Sequence, residues 1–229
     1  MKRWTVDDVM TRDVATVDPT MGYTEIADLL VGRGISAVPV IDKARTVLGV
    51  VSEADLLPKI EYADRLPHHP LATRRANHLR RQAAGSTARE AMSTPAITVT
   101  SGASLVDVAR RLDSARVKRL PVVDVQGHLI GIVSRRDLVR LYTRPDAEIR
   151  GDVVDMLCAA FQTELMELSV DVVAGIVTIG GQVARHSMAD LAGAVSTAVP
   201  GVVAVRNELR YSVDDHVEQP PAYWSVPVV

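Results

Sequence analysis

Gly49-Val50-Val51-Ser52-Glu53-Ala54-Asp55-Leu56 and Gly131-Ile132-Val133-Ser134-Arg135-Arg136-Asp137-Leu138 are one pattern written twice, with Gly49 falling on Gly131. The same offset, without a gap, sets Pro39-Val40-Ile41-Asp42 on Pro121-Val122-Val123-Asp124. It also sets Met10-Thr11-Arg12-Asp13-Val14-Ala15-Thr16-Val17 on Met92-Ser93-Thr94-Pro95-Ala96-Ile97-Thr98-Val99. A single offset held over that span implies two copies of one supersecondary unit, and such repeats set the architecture. Two copies packed about a pseudo-two-fold axis leave paired clefts, and clefts take small molecules.

Each copy reads as strand, helix, strand, strand, helix. In the first, Val14–Val17 is a short strand stopped by Asp18-Pro19. Ile26, Leu29, Leu30 and Ile35 form a helical stripe that Gly32 and Gly34 end. Ala37–Ile41 and Thr46–Val51 are strands around the polar turn Asp42-Lys43-Ala44-Arg45, and Ser52 opens a second helix. The second copy has strand Ala96–Val99, a helix through Leu105, Val108, Ala109 and Leu112, strands Leu120–Val123 and Leu129–Val133, and a helix from Ser134.

These motifs, in order and in register, resemble the CBS-domain family over about residues 6–60 and 87–142. The resemblance implies a tandem (Bateman) module that dimerises and senses adenine nucleotides or related adenosyl ligands. The expected fold is α/β (α+β), with repeats at 1–60 and 87–142 joined by a basic linker at 61–86.

Ser52 with Asp55, and Ser134 with Asp137, form Ser-x-x-Asp at a helix start. One reading is a capping box, in which the Asp carboxylate reaches back to the cap residue. Such a cap contributes about 1 kcal/mol. The other reading uses the same geometry for binding. A helix N-terminus favours phosphate, a serine hydroxyl can donate to it, and a carboxylate can accept from two ribose hydroxyls. The family resemblance assigns these pairs to phosphate and ribose. It places the base against the first strand and the segment before the Pro strand. Those positions are Val14, Ala15, Thr16, Ala37, Val38 and Pro39 in one copy, and Ala96, Ile97, Thr98, Arg119, Leu120 and Pro121 in the other. Core packing of strand residues is the competing account, so only backbone contacts are at stake there.

Charge divides the copies. Thr5–Ile60 carries five Lys/Arg against nine carboxylates, a net −4, whereas Arg110–Arg144 carries nine against three, a net +6. Lys118, Arg119, Arg135 and Arg136 fall near the second Ser-x-x-Asp. Positive charge focused on a cleft draws anions. The second repeat is therefore expected to bind the more highly phosphorylated ligand.

The stretch from Arg65 to Arg89, which takes in most of the linker, holds six Arg and no acid. Leu66-Pro67-His68-His69-Pro70 breaks any helix there, and Leu71–Gln82 reads as a basic helix. It is either a solvated connection or a surface for a cleft or an acidic partner. His68, His69 and His78 lack the carboxylate or cysteine that would complete a metal site, so no metal is expected.

After Arg144-Pro145 the pattern changes. Ile149, Val153, Leu157, Ala160 and Phe161 line one face of a helix of about 16 residues, with Cys158 beside that face as a small buried hydrophobe. Val170–Val172 and Gly175–Val183 read as a hairpin turning near Ala174-Gly175, followed by a helix over Ser187–Ala198 and a strand from Pro200 to Leu209. Gly175-Ile176-Val177-Thr178-Ile179-Gly180-Gly181-Gln182-Val183 and Gly201-Val202-Val203-Ala204-Val205-Arg206-Asn207-Glu208-Leu209 resemble the BON domain, placed at 145–213. That family is associated with phospholipid or envelope contact and with interactions generally. Asp146–Asp215 carries four Arg against eleven carboxylates, and an acidic surface is repelled by anionic lipid. A protein partner therefore fits better than a membrane. The tail at 214–229, ending Tyr223-Trp224-Ser225-Val226-Pro227-Val228-Val229, reads as extended and packed on the protein or a partner subunit.

The 229 residues carry a net charge of −2, 3% aromatics and one cysteine. That leaves no drive toward specific nucleic acid, no stacking platform and no intramolecular disulfide. There is no secretory signal and no apolar run of membrane-spanning length, so the cytoplasm is the expected location. No P-loop, Gly-x-Ser-x-Gly or metal cluster points to catalysis. The expectation is a non-enzymatic homodimeric sensor that requires no cofactor. An adenosyl nucleotide is its regulatory ligand and the third domain its interaction output. The alternative is a scaffold with empty clefts working through the third domain.

Overall fold

The computed structural model describes residues 4–61, 85–161 and 168–215. The chain forms two compact units that divide between Leu138 and Val139. The helix expected at 71–82, the linker histidines and the tail beyond Asp215 lie outside the described residues.

The first unit runs α1 (Val6–Val9), α2 (Tyr23–Arg33), β1 (Ala37–Ile41), β2 (Val47–Ser52) and α3 (Glu53–Glu61). It continues with α4 (Ala88–Ala91), β3 (Val99–Thr100), α5 (Leu105–Ser114), β4 (Arg119–Val123), β5 (Leu129–Ser134) and α6 (Arg135–Val139). The repeat carries through to hydrogen bonding. β1 and β2 pair antiparallel with Ala37 opposite Ser52, and β4 and β5 pair with Arg119 opposite Ser134; both ladders slip at the same place. Helix α2 buries Ile26 and Leu30, and α5 buries Val108 and Leu112. Gly34 alone ends α2, taking the left-handed conformation, while Gly32 stays inside the helix.

The two copies are not separate bodies. Val6 and Met10, from the segment opening copy one, lie in the core of copy two with Val108, Leu112, Leu120, Val122 and Val133. Reciprocally, Ala88, Ala91 and Met92 lie in the core of copy one with Ile26, Leu30, Val38, Val40 and Val51. Backbone bonds fix each crossing. Thr11 and Ile132 exchange two at 2.9 Å, and Ser93 and Val50 exchange two at 2.9 and 3.1 Å. Gly49 permits the approach, because a Cβ there would lie 2.5 Å from Met92 Sδ and 2.8 Å from the Ser93 carbonyl. Gly131 faces Met10 in the same way.

This crossing also shortens the expected first strands. Val14–Val17 makes only one bridge, Val17 with Val40. In copy two, pairing is confined to Val99 and Thr100 against Val122 and Val123. The residues between these pairings and the bridges at Thr11 and Ser93 span from one sheet to the other and extend neither ladder.

The second unit begins with a 3-10 turn at Arg140–Thr143. It continues through α7 (Asp146–Phe161), β6 (Ser169–Val173), β7 (Ile176–Arg185), α8 (His186–Thr197) and β8 (Ala204–Val213). Its sheet has the order β6-β7-β8, antiparallel then parallel. Ala174 and Gly175 both take positive φ, 52° and 74°, as a two-residue primed hairpin turn requires. The Asp146 carboxylate accepts both of their N–H groups, at 2.8 and 2.9 Å. Ile149, Val153 and Leu157 of α7 pack with Val170, Val172, Val177, Ile179 and Ala192. Arg144 ties the entry of this unit together, donating to the Pro200 carbonyl at 2.7 Å and to Asp152 at 2.6 Å. Cys158 corrects the sequence reading: it is exposed. Leu157 takes the core-facing position, and the next residue is turned about 100° around the helix toward solvent.

Candidate ligand cleft

A cleft of about 330 Å³ opens where the chain crosses between the two sheets. One wall is Ser36, Ala37, Val50, Ser52, Glu53, Ala54 and Asp55 of copy one. The other is Ser93, Pro95, Ala96 and Ile97, with Arg116, Val117, Lys118 and Arg119, all of copy two.

Asp55 is the polar anchor and is only 9% exposed. It accepts from the Ser52 N–H at 2.8 Å and the Ser52 hydroxyl at 2.5 Å. Its other oxygen accepts from the Ser93 hydroxyl at 2.7 Å. The first two bonds are the reach-back half of a capping box. The third is possible only because Ser93 is carried onto β2 by the crossing. Asp137 repeats the cap, accepting from Ser134 N–H at 2.8 Å and from its hydroxyl at 2.6 Å. Its own N–H points to Ser134 Oγ at 3.4 Å. Reach-back capping thus occurs at both helix starts, but Ser52 and Asp55 line the 330 Å³ cleft while Ser134 and Asp137 do not.

The cations fall elsewhere than the sequence pattern places them. It groups Lys118 and Arg119 with Ser134 and Asp137. In the structure, Arg116, Lys118 and Arg119 line the cleft of Ser52 and Asp55, because β4 begins against the start of β1. Arg119 donates to Ser36 Oγ at 2.7 Å and to the Ala37 carbonyl at 3.3 Å. Burial lowers its pKa, an effect opposed by the carboxylates of Asp137 and Glu53. Arg119 therefore lies between the two Ser-x-x-Asp helix starts and feels both. Its Nε is buried and has no hydrogen-bond partner among the described residues. Lys118 approaches Glu53 at 3.8 Å, with both side chains largely exposed, a pairing of small energetic value.

Arg135, expected beside a phosphate at the second helix start, instead donates to the carbonyls of Val117 and Leu112, both at 3.2 Å. It thereby ties the start of α6 to the segment that leaves α5, sharing the Leu112 carbonyl with the Val117 N–H. Arg136 is exposed. Val38 and Leu120 are wholly buried in the two cores, and Pro39 and Pro121 are buried beside them. The Pro39 carbonyl is taken by the Val17 N–H. Thr16 and Thr98 are half-buried, and neither lines the 330 Å³ cleft. Ser36, Glu53, Ser93, Pro95, Arg116 and Val117 line it although the motifs do not single them out. Ser93, Pro95, Arg116 and Val117 carry only an indirect signal, since they come from copy two while Ser52 and Asp55 come from copy one. No metal-binding group of His, Cys, Asp or Glu occurs among the described residues.

Family models for the CBS domain match residues 6–62 and 88–144, and a model for the BON domain matches 145–212. The chain carries two CBS domains followed by a BON domain. Its CBS pair is similar to the chloroplastic CBS domain-containing protein CBSX2 of Arabidopsis thaliana, 32% identical over 149 residues, covering 60% of this chain and 63% of that protein. It is also similar to the uncharacterized protein MK0525 of Methanopyrus kandleri, 29% identical over 141 residues, covering 62% and 64%. The chain thus spans a little under two thirds of the length of these relatives. Among solved structures, CBSX2 in complex with AMP superposes with a TM-score of 0.54 over 60% of this chain and 95% of that one. The CBS pair of MJ0100 superposes with a TM-score of 0.50 at 20% identity, over 62% and 98%, a shared fold.

Proposed function

We propose that this protein is a non-catalytic sensor that binds an adenosyl nucleotide in the cleft of Ser52 and Asp55. The carrying observation is that one cleft presents a buried carboxylate on one wall and Lys118 and Arg119 on the other. A ribose diol offers two O–H donors, which can replace those of Ser52 and Ser93 on Asp55. The freed hydroxyls and the start of α3 then face the phosphate, with Arg119 and Lys118 supplying charge-assisted bonds. Pro95, Ala96, Ile97 and Val50 form the aliphatic wall for a base, in a chain with few aromatic rings. The AMP-bound state of CBSX2, 32% identical over the CBS pair, supports the same ligand class.

The crossed packing suggests why occupancy matters. A ligand that bridges Asp55 and Lys118 touches both copies at once, and it shifts an equilibrium by the difference in its affinity for two arrangements. Helix α6, which follows Ser134, is succeeded along the chain by the 3-10 turn at Arg140–Thr143 and then by the BON domain, the proposed output surface for a protein partner. Leu57 and Ile60, 59% and 76% exposed on α3, supply apolar surface for a homodimer. No helix among the described residues is long and apolar enough to cross a membrane, and we place the protein in the cytoplasm.

Thermal unfolding with AMP, ADP, ATP and S-adenosylmethionine tests the reading. A ligand at a hundred times its dissociation constant adds about 2.7 kcal/mol of stability, and the Tm is expected to rise with at least one of them. A folded protein whose Tm none of the four moves would contradict it.

A further inference from the structure

The two copies differ at one backbone position that bears on ligand choice. Helix α2 ends at Gly34, with φ of 60°, but the equivalent position after α5 is Arg116, with φ of 54°. A residue with a Cβ is disfavoured in the left-handed region, and glycine is its usual occupant. The reverse exchange occurs at the strand turns, where Arg45 (φ 67°) stands against Gly127 (φ 87°). Arg45 has a structural reason: its guanidinium reaches the Leu129 carbonyl at 3.2 Å, and its own carbonyl accepts the Leu129 N–H at 2.9 Å. Among the described residues no carboxylate pairs with Arg116. Its side chain is exposed on the rim of the 330 Å³ cleft. Non-glycine residues kept in this conformation collect at ligand sites.

Cleft size assigns the rim a job. At about 330 Å³ the cleft is at the small end of ligand sites, enough for a nucleoside with little beyond it. Further phosphates on such a ligand would leave the enclosed space and meet the exposed rim. There Arg116 and Lys118 face Glu53, which already holds Lys118 at 3.8 Å. Among the described residues Lys118 thus has a carboxylate within reach and Arg116 has none. The pseudo-symmetric positions in copy one, Gly34 and Ser36, carry no charge.

We propose that Arg116 makes this cleft selective for nucleoside polyphosphates over the monophosphate, by contacting the phosphates beyond the first. The proposal rests on the nucleotide reading above and adds which member of the class binds best.

The test is calorimetric titration of the full chain with AMP and with ATP, without magnesium, for wild type, Arg116→Gly and Arg116→Lys. Wild type is expected to bind ATP more tightly than AMP. Arg116→Gly is expected to lose about three- to tenfold in ATP affinity, the range of one exposed charge-assisted contact, and less than about twofold in AMP affinity. Arg116→Lys is expected to keep most of the ATP preference. Folding is not at risk, since glycine is the residue the other copy uses. The Tm of Arg116→Gly without ligand is expected to equal or exceed that of wild type. AMP binding with no preference for ATP, or a preference that survives Arg116→Gly, would overturn the selectivity proposal while leaving the nucleotide reading intact. A wild type that binds neither nucleotide would overturn that reading, and this proposal with it.

Discussion

The two CBS copies share a backbone and differ in what they bring to their clefts. Around Asp55 the helix start is Glu53-Ala54 and the facing segment is Arg116-Val117-Lys118-Arg119. Around Asp137 the helix start is Arg135-Arg136, and the copy-one counterpart of the Arg116 segment is Gly34-Ile35-Ser36-Ala37. Copy two thus owns most of the cations, but crossing sends three of them to the cleft anchored by copy one. Of its own helix-start pair, Arg135 is occupied with the carbonyls of Val117 and Leu112. A duplicated unit has become asymmetric in charge without becoming asymmetric in fold, and a cleft's character cannot be assigned from the copy that supplies its Asp.

The largest effects are expected where the crossing itself is broken. Met10→Ala removes a nearly buried side chain from the core of copy two and should cost about 2–4 kcal/mol in chemical denaturation. Amide exchange should accelerate first in β4 and β5, although Met10 belongs to the sequence of copy one. Acceleration confined to β1 and β2 would refute the crossed core.

Next come the two glycines that admit the crossing. Gly49→Ala drives a Cβ to 2.8 Å from the Ser93 carbonyl, whereas at Gly131 the nearest backbone atom, the Thr11 carbonyl, is 3.2 Å away. A methionine end can move and a backbone cannot. Gly49→Ala should therefore destabilise by about 2–3 kcal/mol and Gly131→Ala by about 1 kcal/mol, the range of overpacking. Equal losses in urea unfolding would contradict the difference.

A smaller contrast is expected between the caps. Both carboxylates reach back to their helix starts, and Asp55 also takes the Ser93 hydroxyl. Ser93→Ala leaves a buried carboxylate short of one donor and should cost about 1–2 kcal/mol. Thr11→Ala, the matching change in copy one, tests whether copy two depends on the same bond, and it is expected to cost less.

The smallest effect concerns pH. Bonding from the His128 N–H, then from its ring, holds the Asp124 carboxyl below its ordinary 3.8. Because the folded pKa is depressed, this contribution to stability is present above pH 3.8 and fades as pH falls through the lowered value. Asp124→Asn should flatten the acid limb of stability against pH, with a small loss near neutrality and little change at the acid end. A wholly unchanged limb would argue against the bond.

Much of this is legible in residues alone. The constant offset reveals the duplicated unit, Ser-x-x-Asp marks both helix starts, and the Ala174-Gly175 turn marks the BON hairpin. The same offset sets Met10 on Met92, and the structure buries both. The offset does not show which core each enters, because apolar spacing carries no address. From that one ambiguity follow the misplaced cations, the absence of Ser93 and Arg116 from the expected site and the over-long first strands. Cys158 misleads for a local reason: it borders the apolar stripe of α7, and one helical step separates core from solvent.

The central claim is that nucleotide occupies the cleft anchored by Asp55 and fed by the cations of copy two. Its most direct measurement is AMP binding stoichiometry by titration calorimetry on the full chain, for wild type, Asp55→Ala and Asp137→Ala. The account predicts binding that Asp55→Ala abolishes and Asp137→Ala retains. Binding abolished by Asp137→Ala and untouched by Asp55→Ala would contradict it.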